Sequence, residues 1–196
     1  MIPYTYLAFL AAIGVQRLGE LAISRRNIRW ARQRGGLEFG QAHFGVMKLL
    51  HTSFLLACAT EVVLARRPFD PRVGVPMLVL VVASQALRAW TVRSLGPRWS
   101  ARVVVLPGEP VVTSGPYRFL RHPNYLAVIV EGLAIPLVHG AWITALVFSV
   151  LNAFVLVQRI RCEENALARY ATGVAQLLRR PRFIPALSKR TRSEAA

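Results

Sequence analysis

Residues 118–139 read RFLRHPNYLAVIVEGLAIPLVH and divide into two unlike halves. The first half carries two arginines, a histidine and a tyrosine, whereas the second is an apolar run interrupted only by Glu131. Pro123 suits the first turn of a helix, where its missing N–H is not needed. The stretch therefore predicts a membrane helix that begins at Pro123. Polar groups at the mouth of such a helix are costly to hold and are usually functional.

Apolar runs of similar length flank this stretch on both sides. The chain has 196 residues, of which 54% are hydrophobic, and its mean hydropathy is +0.40. About 20 apolar residues are needed to cross the hydrocarbon core as a helix. We therefore expect an all-α integral membrane protein with five transmembrane helices, near residues 3–24, 42–65, 73–93, 123–139 and 141–158. Residues 1–187 would form one domain and residues 188–196 a basic tail.

The basic residues are concentrated on one side of the predicted membrane. The net charge is +16. The first and third connections and the C-terminal segment together carry 19 basic residues, whereas the second and fourth connections carry three. Because positive residues favour the cytoplasmic side, this bias predicts an external N-terminus and a cytoplasmic C-terminus. The orientation of the chain in the membrane accounts for its net positive charge. We therefore do not expect nucleic-acid binding.

Two segments outside the spans have predicted structure of their own. Residues 94–122 contain several Gly-Pro pairs and two valine runs, 103–105 and 111–112, on either side of a Pro107-Gly108 turn. They predict short extended pieces in a compact cap on the membrane face. Residues 163–178 have the apolar spacing of an amphipathic helix, which we expect to lie along the inner surface or against the cap.

The cluster around His122 could bind an anion. A helix that starts at Pro123 offers unpaired N–H groups and a partial positive charge, and Arg118 and Arg121 precede it. Tyr117 and Tyr125 add flat surfaces with polar tips. The alternative is that these arginines are cytoplasmic anchors and the tyrosines part of an interfacial aromatic belt.

A second cluster, Arg159, Glu163 and Glu164, follows the fifth predicted span. Arg159 and Glu163 are four residues apart and share one face of a helix. An exposed pair of this kind stabilises a helix by only a few tenths of a kcal/mol, so stability alone explains the acids poorly. A solvated helix end is the alternative.

Glu131 lies within the fourth predicted span, and Arg17 and Glu20 lie within the first. An ionisable group there is costly unless it is paired or faces a cavity, so we expect all three to line the interior of the bundle. The four histidines are scattered without ligand spacing, so we expect no metal site. No GxGxxG or phosphate-binding glycine loop is present, which excludes a Rossmann-type cofactor domain.

Together these motifs resemble the isoprenylcysteine carboxyl methyltransferase family, which belongs with the membrane phospholipid methyltransferases. The resemblance rests on residues 115–118 (GPYR), residues 121–125 (RHPNY), and Arg159 followed by Glu163-Glu164. It is supported by Trp99-Ser100, Pro107-Gly108, Val111-Val112 and residues 182–185 (RFIP). It implies a membrane enzyme that binds S-adenosylmethionine at its cytoplasmic face and takes a lipophilic acceptor from the bilayer.

The resemblance also implies roles for individual residues. Arg159 would face the acceptor and act in catalysis. The cofactor would be contacted by Val111, Val112, Tyr117, His122, Pro123, Asn124, Tyr125 and Glu163. One departure is that the family's Phe-Gly and Tyr-x-x-Tyr pattern after the glutamates is reduced to Tyr170 and Gly173.

The N-terminal half is similar to a narrower, bacterial branch. Residues 16–21 (QRLGEL), residues 35–38 (GGLE) and the stretch from 43 to 51 carry this likeness, with Arg26-Asn27 and Trp30. Members of that branch are associated with type III polyketide synthases and O-methylate alkylpyrones or alkylresorcinols. The expected acceptor is therefore an acidic enol or phenol on a long chain, in a bacterial cell membrane. A prenylcysteine carboxylate or a phospholipid is the alternative acceptor.

Two other functions fit parts of the sequence. Membrane sterol and steroid reductases carry a similar His-Pro-Asn-Tyr segment that holds NADPH, although their chains are generally longer. A non-enzymatic membrane scaffold would use both motifs only as anchors and helix caps.

Overall fold

The computed structural model describes residues 4–184, apart from the side chains of residues 42 and 43. The predicted basic tail, 188–196, lies outside the described residues. The main elements are α1 (Tyr4–Arg32), β1 (Leu37–Phe39), α2 (Gln41–Leu64), α3 (Pro71–Leu95), β2 (Val103–Val105), α4 (Pro123–Leu137), α5 (Trp142–Tyr170) and α6 (Val174–Leu178). Short 3-10 turns occupy Gly96–Arg98 and Gly115–Arg118. The predicted α-helical integral membrane architecture is confirmed.

Four of the helices, α1, α2, α3 and α5, are long and apolar enough to cross a membrane. The remaining predicted span is α4, whose 15 residues extend about 22 Å, less than the roughly 30 Å hydrocarbon core. It still reaches the end of the bundle opposite the cap, because Gly74 near the start of α3 lies against Val138. A Cβ on Gly74 would come 2.6 Å from the Val138 carbonyl oxygen.

Two helices continue well beyond their predicted spans. α1 runs to Arg32 rather than residue 24, and α5 runs to Tyr170 rather than residue 158. The prediction of a separate amphipathic helix over 163–178 is therefore wrong. Its first half is the end of α5, and only Val174–Leu178 forms another helix. Strong helix formers such as Arg, Glu, Leu and Ala carry α5 past the membrane, and Gly173, with a φ of 72°, follows its end.

The cap, which we define as residues 96–122, is built on the extension of α5. β2 contains the predicted extended residues 103–105, but it pairs antiparallel with β1 from the first connection. The other valine run contacts the end of α5 instead, since the Val111 N–H donates to the Thr172 carbonyl at 3.0 Å. Val103 and Val105 are buried with Ala166. The cap is therefore packed against α5 rather than free in solution.

Glu38 in β1 ties the first connection to the cap. Its carboxylate accepts hydrogen bonds from Arg32 at 2.8 Å and from Arg102 at 2.5 Å. Burial acts to raise the pKa of this carboxyl, but the hydrogen bonds and charges of Arg32 and Arg102 outweigh it and hold the pKa below its ordinary value. Glu38 is therefore ionised where the two strands meet.

Candidate active site

A cleft of about 150 Å³ lies between the cap and the facing parts of α4 and α5. We call it the cap cleft. Seven of the eight residues expected at a cofactor line it: Val111, Val112, Tyr117, His122, Asn124, Tyr125 and Glu163. The eighth, Pro123, is fully buried at the first position of α4 and does not line the cleft. Arg118 is exposed and lines neither this cleft nor the cavity described below.

The hydroxyl of Tyr125 lies between the two charged residues of the second cluster. It donates a hydrogen bond to Glu163 and accepts one from Nε of Arg159 at 2.9 Å. The Arg159 Nη2 also donates to the Ala101 carbonyl at 2.5 Å, so the guanidinium is held from α4 and from the cap. Arg159 and Glu163 share a helix face as predicted, but Tyr125 mediates their contact. The side chain of Arg159 is buried, with 8% of the residue exposed.

Glu164 has a different role from its neighbour Glu163. It accepts hydrogen bonds from His122 Nε2 at 3.0 Å and from Arg121 at 3.0 Å. Arg182, beyond α6, also donates to it at 2.6 Å. Because a carboxylate only accepts, Nε2 of His122 carries the proton in this bond. Glu164 thus joins the cap, the start of α4 and the C-terminal segment, whereas Glu163 faces the cleft.

Aromatic and apolar side chains form much of the remaining cleft wall, with the charged side chains of Arg98, Arg102 and Glu109. Burial raises the pKa of the Tyr117 phenol, and the nearby Glu163 charge raises it further, so this phenol stays neutral. His122 stacks on Tyr125 with ring centroids 5.3 Å apart. Trp99 is buried, and its indole N–H has no hydrogen-bond partner among the described residues. The cleft therefore combines flat neutral surfaces with the half-buried carboxylate of Glu163.

A second cavity, the membrane cavity, has a volume of about 390 Å³. It lies between the helices, and its apolar lining includes Leu18, Leu21, Leu55, Leu56, Val128 and Leu156. Leu18 on α1 and Leu56 on α2 are about two-thirds exposed, at 67% and 65%. Because the outer surface of these helices faces lipid, the cavity has an apolar rim between α1 and α2 that is open to the bilayer.

The cap cleft and the membrane cavity share four lining residues: Trp99, Asn124, Tyr125 and Arg159. These residues come from the cap, the first turn of α4 and α5. Tyr125 and Arg159 belong to two motifs and are 34 residues apart in sequence. Together they form part of the common wall of a polar cleft and an apolar cavity. A group bound in one cavity would face a group bound in the other across this wall.

The predicted intramembrane charges form one network. Glu131 accepts hydrogen bonds from Arg17 at 2.8 Å and from Arg88 at 2.6 Å, and Arg17 also donates to Glu20 at 2.6 Å. Arg88 additionally lies 3.7 Å from Glu20. The two acids and two arginines therefore compensate one another inside the bundle. Arg17, Glu20 and Arg88 line the membrane cavity.

Several residues at the site were not singled out from the sequence. Arg88 could have been found, since it is charged within a predicted span in the same way as Glu131. Trp99 entered only as part of a family pattern, and nothing in the sequence indicates that the Ala101 carbonyl would hold Arg159. Among the side chains that the structure describes, no three from His, Cys, Asp or Glu come together in an arrangement that could hold a metal ion.

Comparisons with known proteins place the chain in a family. Residues 77–169 match the model of the isoprenylcysteine carboxyl methyltransferase (ICMT) family, and this range contains the cap, α4 and most of α5. The chain is 38% identical to the Bacillus subtilis (strain 168) protein YpbQ, described as uncharacterized, over 83% of this chain and 96% of that protein. It is 26% identical to an uncharacterized Haemophilus influenzae protein, over 85% of this chain and 95% of that protein. The chain belongs to the isoprenylcysteine carboxyl methyltransferase family, a family of membrane methyltransferases.

Proposed function

We propose that this protein is an S-adenosylmethionine-dependent O-methyltransferase that methylates a lipophilic enol or phenol of the alkylpyrone or alkylresorcinol type. The observation that carries the proposal is the common wall of the cap cleft and the membrane cavity, formed at Arg159 and Tyr125. A polar methyl donor and an apolar methyl acceptor need such a boundary. The donor can then enter from water and the acceptor from the membrane, and the two meet at this wall.

The residues of the cap cleft fit S-adenosylmethionine in chemical type. Glu163 would pair with its ammonium group, and the first turn of α4 would offer N–H groups to its carboxylate. The neutral ring of Tyr117 and the valines of the cap would pack against its adenine. When bound, the cofactor would supply an electrophilic methyl group on a sulfonium, which an acceptor oxygen can attack with S-adenosylhomocysteine as the leaving group.

Arg159 would orient the acceptor. Its Nε and Nη2 donate to Tyr125 and the Ala101 carbonyl, and no hydrogen bond from Nη1 is present among the described residues. This N–H group would hold an acceptor oxygen in its anionic form. Good alignment in a site that excludes water can lower the barrier by up to about 7 to 11 kcal/mol. An acidic ring hydroxyl meets this requirement while its alkyl tail remains in the membrane cavity.

The same geometry accommodates other lipophilic acceptors. A prenylcysteine carboxylate would satisfy Arg159 equally well by charge, and a phospholipid would enter through the same apolar rim between α1 and α2. The narrower similarity of the N-terminal half favours the polyketide-type acceptor. We further propose that the cap cleft and the C-terminus are cytoplasmic in a bacterial cell membrane, because the arginines are concentrated on that side.

Ligand titration tests the cofactor assignment against the reductase alternative. The detergent-solubilised protein is titrated calorimetrically with S-adenosylhomocysteine and, separately, with NADPH. We expect binding of S-adenosylhomocysteine and none of NADPH. Binding of NADPH alone would overturn the proposal, and binding of neither would favour a scaffold.

A further inference from the structure

The membrane cavity has a second polar end, away from Arg159. A small void of about 30 Å³ adjoins the cavity and is lined by Arg17, His51, Val128 and Glu131. Arg17, His51 and Val128 also line the membrane cavity itself. Along α4, the steps from Tyr125 to Val128 and from Tyr125 to Glu131 correspond to a rise of roughly 5 to 9 Å. Arg17 and His51 therefore lie about one to two helix turns from the wall shared with the cap cleft.

His51 presents an unused hydrogen-bond acceptor at this end. Its Nδ1 lies 2.8 Å from the Met47 carbonyl oxygen, and because a carbonyl only accepts, Nδ1 carries the proton. In the neutral imidazole Nε2 is then a lone-pair acceptor, and no donor to it is present among the described residues. The ring packs edge-on against Phe148 with centroids 5.4 Å apart, which fixes its plane. The lone pair of Nε2 is therefore available to a hydrogen-bond donor bound in the membrane cavity.

The charges beside His51 are already compensated. Arg17 and Arg88 pair with Glu20 and Glu131 at distances between 2.6 and 3.7 Å. Lys48, about one turn before His51 on α2, also lines the membrane cavity, but it is exposed and takes no part in this network. A second anionic group would therefore find no unpaired cation in this network, whereas an uncharged hydroxyl would find Nε2. Arg17 uses two of the five N–H bonds of a guanidinium in its ion pairs, so it can also donate to the hydroxyl oxygen.

We propose that His51 and Arg17 form a second recognition site for the acceptor, which binds an uncharged hydroxyl about one to two helix turns along α4 from the wall at Arg159. The hydroxyl donates to His51 Nε2 and accepts from Arg17. The inference rests on the proposed function and narrows its substrate class to amphiphiles whose head carries two separated oxygen groups. A lipid with a single charged terminus leaves this site unused.

Paired acceptors test the inference. A long-chain 5-alkylresorcinol has two hydroxyls, and the 3-alkylphenol of the same chain length lacks one. Their dissociation constants are measured calorimetrically on the S-adenosylhomocysteine complex, and methyl transfer from labelled S-adenosylmethionine is measured alongside. We expect the wild type to bind the diol at least about ten-fold more tightly. His51→Phe should reduce this preference to less than about two-fold while keeping its affinity for the monophenol.

His139→Phe is the matched control, because His139 is a buried histidine packed against Tyr6 and Phe69 and lines neither cavity. It should retain the wild-type preference. Equal affinities of the wild type for the two phenols, or an unchanged preference in His51→Phe, would overturn the second site. A preference that depends on His51, with no methyl transfer to either phenol, would support the second site and overturn the proposed acceptor class.

Discussion

Arg159 reaches Glu163 through a third side chain, although the two lie one turn apart on the same helix. The Tyr125 hydroxyl accepts a hydrogen bond from Arg159 and donates one to Glu163. This arrangement links the residue proposed to orient the acceptor to the residue proposed to bind the cofactor. It also places the link in the wall that the cap cleft shares with the membrane cavity.

Removing the Tyr125 hydroxyl should therefore impair the acceptor side more than the cofactor side. We expect Tyr125→Phe to lower kcat/KM for the acceptor about ten-fold, because Arg159 loses the partner of its Nε. The affinity for S-adenosylhomocysteine should change less than about three-fold. Steady-state kinetics and calorimetry measure the two effects. Tyr170→Phe is the control, because Tyr170 packs against Phe39 in β1 and lines neither cavity. Equal losses in both variants would refute the link.

Replacement of Glu163 should weaken cofactor binding directly. A hydrogen bond to a charged group contributes about 1.5 to 3 kcal/mol, so Glu163→Gln should raise the dissociation constant of S-adenosylhomocysteine about ten-fold or more. Calorimetric titration of the purified variant measures this. Asp70→Asn, an acid change at the start of α3 and outside the site, should leave the affinity unchanged. Wild-type affinity in Glu163→Gln would remove this carboxylate from the cofactor site.

Substitution of the neighbouring Glu164 should lower the stability of the protein more than its rate of methyl transfer. Glu164→Gln weakens the acceptor for His122, Arg121 and Arg182 at once. Leaving such donors poorly paired costs about 1 to 3 kcal/mol, which corresponds to a fall of roughly 2 to 12 °C in Tm for a chain of this size. Thermal unfolding in detergent, followed by tryptophan fluorescence, measures it. An unchanged Tm would show that Glu164 does not hold the cap to α5.

Glu38 should make the cap sensitive to acid. Its pKa in the folded protein is below the ordinary value of 4.5, so the unfolded chain binds the proton more readily and stability rises with pH in this window. The contribution is present above pH 4.5 and is lost as the pH falls through the folded-state pKa. We expect wild-type protein to unfold at a higher temperature than Glu38→Gln at pH 6, and the difference to disappear at low pH. A constant difference between pH 6 and pH 3 would contradict this.

An element could be predicted from the sequence where one residue type has a single strong structural preference. Pro123 marks the start of α4 because proline suits the first turn of a helix, and the long apolar runs identify the membrane helices. The motif residues from Val111 to Tyr125 and Glu163 could be grouped by family resemblance, and seven of the eight line one cleft. Glu131 could be expected to find partners because an isolated charge within a membrane is costly.

Long-range pairing could not be read from the sequence. β1 and β2 have three residues each and lie in different connections, so neither shows the alternation that predicts a partner. The extension of α5 was predicted as a separate helix because the apolar run stops near residue 158. The residues that follow are still helix formers, so the helix continues beyond the apolar run. The Ala101 carbonyl that holds Arg159 is a backbone group, which leaves no trace in residue identity.

Methyl transfer by the purified protein tests the central claim most directly. The protein in lipid nanodiscs is given S-adenosylmethionine labelled in its methyl group and a long-chain alkylresorcinol, and label in the extracted lipid is counted for wild type and Arg159→Ala. We expect the wild type to produce the methyl ether and Arg159→Ala to lose about 100-fold in rate, as when one charge-stabilising donor is removed. Equal rates in the two proteins, or no labelled product from wild type with any enol, phenol or carboxylate acceptor, would contradict the account.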